Sequence, residues 1–81
     1  MKRDCPTIQE LLAFDAVARH HSITLASGAL CITASAVSKQ IAGLEAFLGR
    51  QLLQKSGRGV ELTPQGRVYW QKISGGLRAI E

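Results

Sequence analysis

Residues 22–41, SITLASGALCITASAVSKQI, decide how the rest of the chain is read. Two short amphipathic segments flank Cys31 and Ile32, which predicts two helices joined by a tight turn. Thr24 is the expected N-cap of the first helix, with residues 25–30 helical, and Thr33 is the expected N-cap of the second. Ala26, Ala29 and Leu30 supply an inward face, Cys31 fills the turn, and Ile32 points inward to pin it. The second helix should run to about Leu48 and stop at Gly49, which suits the left-handed position just past a helix end. At about 100° per residue, Val37, Ile41, Leu44 and Leu48 fall in one narrow stripe. Ser35, Ser38, Lys39, Ala42 and Ala46 fall on the opposite side. One side is a core seam. The other is small, polar and basic, with nothing bulky to hold a partner away. Such a helix fits the DNA major groove, which is about 12 Å wide. The expected motif is therefore a helix-turn-helix. Ala36 stands where a capping box would need Glu or Gln, so first-turn amides are left for another acceptor, and a phosphate is the natural one.

Upstream, Thr7-Ile8-Gln9-Glu10 spells a capping box, and Pro6 keeps the chain from being helical before it. Leu11, Phe14, Val17 and Ala18 then recur at helical spacing. Glu10, Asp15 and Arg19 are expected to stay wet, with Asp15 and Arg19 forming an i,i+4 pair. This helix should end near His20 and His21. Neighbouring residues on a helix point about 100° apart, so the two histidines cannot chelate one metal well, and they read as surface residues of a last turn.

Downstream of Gly49 the period changes. Residues 50–55 read as a short strand, residues 56–59 as a turn, and Val60-Glu61-Leu62 as a second short strand. The result is a hairpin wing that carries Arg50 and Lys55, with Arg58 at its tip between two glycines. Thr63 and Pro64 then open a fourth helix, with proline at its tolerated first position. Trp70, Ile73, Leu77 and Ile80 recur at heptad spacing along it and predict a seam. Two such helices could pair through this seam, or the seam could pack on the chain's own core. Ser74-Gly75-Gly76 weakens the helix locally.

The bulk properties agree with one small domain. At 81 residues and 46% apolar the chain is neither multi-domain nor a disordered tail. A core this small is only marginally stabilising, so a dimer partner would help. The charge is unevenly placed. Residues 1–32 balance Lys2, Arg3 and Arg19 against Asp4, Glu10 and Asp15, so the whole formal charge of +4 lies in residues 33–81. A basic half points to a polyanionic partner, with a merely solvated basic surface as the competing reading. The N-terminus has no apolar core of a signal peptide, and no apolar run approaches the ~18 residues of a membrane span. Cys5 and Cys31 have no metal-ligand spacing and read as reduced thiols of a cytoplasmic protein. No metal site, no catalytic triad, no paired carboxylates and no phosphate-cradling glycine loop are expected, which argues against an enzyme.

With the order helix, helix, helix, wing, long helix in place, the sequence resembles the N-terminal domain of the LysR-type transcriptional regulators of bacteria. The resemblance covers nearly the whole chain. It rests on Phe14, Ser22-Ile23-Thr24, and the run from Thr33 to Ile41, TASAVSKQI. It continues through Leu44-Glu45-x-x-Leu48-Gly49, Leu52-Leu53-x-Lys55 and Leu62-Thr63-Pro64-Gln65-Gly66. The wording ARHHSIT at 18–24 and LEAFLG at 44–49 leans toward the glycine-cleavage and β-lactamase activator branch. The resemblance implies a mostly α fold: a winged helix-turn-helix over residues 5–63, then the start of a linker or dimerisation helix over 64–81. It implies binding to double-stranded operator DNA, helix 3 in the major groove and the wing on the backbone or minor groove. It also implies homodimers through the fourth helix, tetramers in the longer protein, and no cofactor in this chain. A small-molecule effector is expected only in a C-terminal domain that these residues do not include. Three positions depart from the family pattern. Ala34 stands where many members have glutamine, Leu53 where phenylalanine is usual, and Lys55 where arginine is usual. Ala34 can touch a thymine methyl but cannot hydrogen-bond a base.

The expected DNA-binding residues are thus Thr24, Thr33, Ala34, Ser35, Ser38, Lys39, Arg50, Lys55 and Arg58, and the expected dimer residues are Trp70, Ile73, Leu77 and Ile80. A winged helix used for protein–protein contact is the alternative. It would need an apolar outer face on the second helix of the motif, where this chain has Ser, Ala and Lys.

Overall fold

The computed structural model describes residues 6–57 and 59–80, with side chains described as far as residue 75. The order is α1 (Ile8–His20), α2 (Ile23–Leu30), α3 (Ala34–Leu48), β1 (Leu53–Ser56), β2 (Gly59–Leu62) and α4 (Pro64–Ile80). The two strands pair antiparallel, with Leu53 opposite Leu62 and Lys55 opposite Val60.

Each helix start follows from local chemistry. The Thr7 hydroxyl accepts the Glu10 amide at 3.2 Å and the Glu10 carboxylate accepts the Thr7 amide at 3.0 Å, completing the capping box. The Thr33 hydroxyl accepts the Ala36 amide at 3.0 Å. At α4 the Thr63 hydroxyl accepts the Gly66 amide at 3.0 Å and donates to the Gln51 carbonyl at 2.6 Å, so the cap also ties α4 to the chain before β1. Gly49 closes α3 in the left-handed region at φ 67°, a conformation that costs glycine little.

α2 starts earlier than expected. Its N-cap is Ser22, whose hydroxyl accepts the Leu25 amide at 3.1 Å, while Thr24 lies inside the helix. The reason is the residue before it. His21 ends α1 in the left-handed region at φ 55°, reversing the chain, and Ser22 is the first extended residue after it. Cys31 likewise ends α2 at φ 60°. That turn leaves Cys31 exposed and Ile32 42% exposed, so Ile32 does not pin the turn from inside. Ala29 is exposed as well, and Ala26 alone of α2 is fully buried.

The core gathers Phe14 and Val17 of α1, Ala26 of α2, Val37, Ile41 and Leu44 of α3, Leu52 before the wing, and Leu62 of β2. Phe14 sits at its centre, and its ring meets Tyr69 of α4 at 5.9 Å between centroids, tilted by 44°. Such tilted aromatic pairs stabilise by more than their buried area alone.

Two acidic residues expected in water are buried. Glu10 is 5% and Asp15 8% exposed. Glu10 keeps its capping-box bond to the Thr7 amide, and its carboxylate lies close against Gly43 of α3. Asp15 keeps its helical partner Arg19 at 3.1 Å but also accepts the Trp70 indole N–H at 2.9 Å. Among the described residues no buried side-chain nitrogen or oxygen lacks a partner.

The first strand is shorter than expected, because the amides of Arg50 and Leu52 are taken by α3 and not by β2. The Glu45 carboxylate accepts the amides of Leu52 at 2.7 Å and Leu53 at 3.2 Å, and the Glu45 carbonyl accepts the Arg50 amide at 3.2 Å. Arg50 therefore belongs to the connection after α3 and does not share an element with Lys55.

Candidate nucleic-acid interface

The outer face of α3 is set by the burial of its inner face. Val37, Ile41 and Leu44 are buried, and helical periodicity then leaves Ser35, Ser38, Lys39, Ala42 and Ala46 exposed. Thr33 and Ala34 at the N-terminal end are exposed too. The Thr33 hydroxyl takes the Ala36 amide, while the amides of Ala34 and Ser35 in the first turn have no acceptor within the helix. With the positive end of the helix dipole, they present donors outward. Thr24 is exposed on α2.

The wing stands beside this face. Ser38, Ile41 and Ala42 of α3 and Lys55 and Val60 of the wing line one shallow groove of about 240 Å³. The structure thus brings Ser38 and Lys55 together. Arg50 lies elsewhere, lining a separate depression with Leu48 of α3 and Pro64 and Lys72 of α4. Arg58 lies outside the described residues. Two polar side chains without a sequence-based role, Gln51 and Gln54, also line the groove. Gln54 bonds Glu61 across the strands at 3.0 Å, and Gln51 bonds the Leu53 carbonyl at 2.9 Å. A search for cations alone misses them, and their place on the connection and first strand of the wing is the available signal. The acidic groups nearby are already engaged: Glu45 by two backbone amides and Glu61 by Gln54. The cations Lys39 and Lys55 are exposed and form no ion pair among the described residues.

On α4, Trp70 and Ile73 are half-buried and pack against the chain's own core. The side chains of Leu77 and Ile80 lie outside the described residues. Val68, on another side of α4, is 55% exposed.

A family model described as bacterial regulatory helix-turn-helix protein, lysR family, matches residues 8–67. The chain belongs to this family. It is a lysR-type helix-turn-helix DNA-binding domain. It is 52% identical over 66 residues to the HTH-type transcriptional regulator TrpI of Pseudomonas aeruginosa, covering 82% of this chain and 22% of that protein. It is 42% identical over 73 residues to the glycine cleavage system transcriptional activator of Escherichia coli, covering 90% of this chain and 24% of that protein. These relatives are named as transcriptional regulators and not as enzymes, and the second accords with the activator branch suggested by ARHHSIT and LEAFLG. The chain spans about a quarter of the length of the curated relatives it matches, 22% of one and 24% of the other.

Solved lysR-type structures share the fold. The complex of BenM_DBD with benA site 1 DNA superposes with a TM-score of 0.86 at 36% identity, covering 91% of this chain and 83% of that one. The CbnR_DBD–DNA complex gives 0.85 at 31% identity, covering 91% and 85%. The C206 mutant of Corynebacterium glutamicum OxyR gives 0.91 at 30% identity over 98% of this chain and 26% of that one. Among the described residues no helix is long and apolar enough to cross a membrane.

Proposed function

We propose that this domain binds operator DNA as a dimer, with α3 in the major groove and the wing on the backbone or minor groove. The observation that carries the reading is the exposed Ser35, Ser38 and Lys39 face of α3, set opposite a buried stripe, with Ser38 sharing a groove with Lys55. Ser35, Ser38 and Lys39 face base edges or adjoining backbone. Ala34 contributes at most a methyl contact. Thr33 and the first-turn amides hold a phosphate, and Thr24 touches backbone from α2. Lys55 and Arg58 meet phosphate from the wing, and Arg50 from the connection after α3. With Ala34 unable to hydrogen-bond a base, readout leans on the two serines, Lys39 and DNA shape.

In this reading residues 5–63 form the winged helix-turn-helix and 64–81 begin the helix that joins two subunits. Trp70 and Ile73 reach the partner with the surface that the core leaves open, together with Leu77 and Ile80. The longer protein works in the cytoplasm, carries an effector-binding domain beyond this helix, and can assemble further to tetramers. Selection of bound duplexes from a random DNA pool, read for two half-sites at a constant spacing, tests the proposal. Recovery of single, unpaired sites would remove the dimer from it, and recovery of no preferred sequence would remove the major-groove role of α3.

A further inference from the structure

One backbone carbonyl joins the wing to the helix-turn-helix. His21 ends α1 in the left-handed region, at φ 55° and ψ 30°, and its amide donates to the Val17 carbonyl at 2.8 Å. The next residue, Ser22, is the N-cap of α2. The His21 carbonyl accepts the Val60 amide at 3.1 Å. Val60 is the cross-strand partner of Lys55. Its amide points away from β1, so without His21 it would be an open edge donor.

Gly59 lies against the same oxygen. A Cβ at position 59 would overlap the His21 carbonyl, and that neighbour is backbone, which cannot swing aside as a side chain can. Close backbone approach of this kind is a use to which glycine alone is suited. The other backbone hydrogen bonds hold the base of the wing, where Thr63 donates its amide to Leu52 and Glu45 takes the amides of Leu52 and Leu53, while farther out the Val60 side chain packs on the core. The Gly59 and Val60 contact acts two to three residues farther out, level with Ser56 and Lys55.

We infer that the His21 carbonyl is the dock that sets the wing's position relative to α3, and that Gly59 is a positioning residue for DNA binding because it lets β2 reach that dock. The inference rests on the reading that Lys55 meets phosphate from the wing. His21 then serves three elements at once. It closes α1, hands the chain to the cap of α2, and holds β2. A wing pushed off this carbonyl keeps its hairpin but presents Lys55 out of line with the groove it shares with Ser38.

The test uses this chain and a duplex it recovers from a random-sequence pool. Amide hydrogen exchange comes first: Val60 should be protected although it faces away from β1, and exchange at the rate of a free amide overturns the dock. Salt dependence of binding comes second. Releasing one phosphate should lower the slope of log affinity against log salt by about 0.9. Gly59→Ala should lower the slope by the same amount as Lys55→Ala, and the double variant by no more than either alone. Relative affinity for mismatched duplexes should be unchanged, because α3 is not displaced. Additive reductions, or a wild-type slope in Gly59→Ala beside a reduced one in Lys55→Ala, overturn the positioning role. A wild-type slope in Lys55→Ala with Val60 protected removes the wing-to-phosphate reading and leaves the dock standing. If Gly59→Ala does not melt cooperatively, Val60 protection in the unaltered chain decides.

Discussion

The indole N–H of Trp70 donates to the carboxylate of Asp15 at 2.9 Å, joining α4 to α1 across 55 residues of sequence. The other carboxylate oxygen pairs with Arg19 at 3.1 Å, but the Arg19 side chain is 52% exposed. The two bonds differ in weight for that reason. Removing Asp15 strands a half-buried indole donor, which costs about 1–3 kcal/mol. Removing Arg19 breaks a solvent-screened pair worth about 0–1 kcal/mol. Asp15→Ala should therefore lose clearly more stability than Arg19→Ala in urea unfolding. The chain has one tryptophan, so its fluorescence should also shift to the red in Asp15→Ala before unfolding begins. Equal losses for the two variants would argue that the indole bond contributes nothing net.

Lys39 tests the outer face of α3. It is exposed and lies opposite the buried Val37, Ile41 and Leu44 stripe. Lys39→Ala should weaken DNA binding at least tenfold, about 1.4 kcal/mol. Its unfolding free energy should stay within about 0.5 kcal/mol of the parent. Undiminished affinity in a band-shift titration would sink the assignment of this face.

Gly66 and Gly75 lie in the same helix and should respond with opposite sign. A Cβ at Gly66 would overlap the Leu52 carbonyl, whereas nothing lies within 4 Å of one at Gly75. Gly75→Ala should stabilise by about 0.5–1 kcal/mol through the ordinary gain in helix propensity. Gly66→Ala should destabilise by about 1–3 kcal/mol, because α4 must move off the chain before β1. Thermal melts of the pair read both signs.

The first turn of α2 offers a direct check on its cap. The Ser22 hydroxyl accepts the Leu25 amide. Ser22→Ala should cost about 1 kcal/mol, and Thr24→Ala a few tenths at most. The reverse order in chemical denaturation would put the helix start back at Thr24.

Tyr69 gives the alkaline limb of stability. Its phenol is held above its ordinary pKa of 10.0, first by burial and then by the nearby Glu10 carboxylate. The folded state therefore keeps a proton that the unfolded chain releases. This contribution is fully present below pH 10.0 and is lost as pH rises through the folded pKa. The chain has one tyrosine, so tyrosinate absorbance should titrate above pH 10.0 as a single step. Tyr69→Phe should flatten the fall of stability over the same range. A midpoint at or below the ordinary value would contradict the packing of Tyr69 on Phe14 beside Glu10.

Sequence alone determined the features that close within a turn or two. The capping box of Thr7 and Glu10, the caps at Thr33 and Thr63, and the stop at Gly49 each join residues three or four apart, so spacing and residue type suffice. The same holds for the two faces of α3, because a 3.6-residue period that buries Val37, Ile41 and Leu44 must expose Ser35, Ser38 and Lys39. The wing is legible as a hairpin for a similar reason, though its first strand begins later than the spacing predicts. Tertiary structure decided what depends on partners distant in sequence. Asp15 reads as a wet helix residue until Trp70 comes in from α4. Glu45 draws no structural role from its spacing, yet its carboxylate holds the amides of Leu52 and Leu53 and its carbonyl takes the Arg50 amide, which keeps Arg50 off the strand. Ser22 and Thr24 are equally good caps by residue type, and the left-handed turn at His21 chooses between them. The outer part of the wing also rests on a backbone carbonyl, that of His21, which accepts the Val60 amide and which residue type does not record. Side-chain pattern records what a residue prefers over a few neighbours. It carries little about which backbone groups meet once the core has closed.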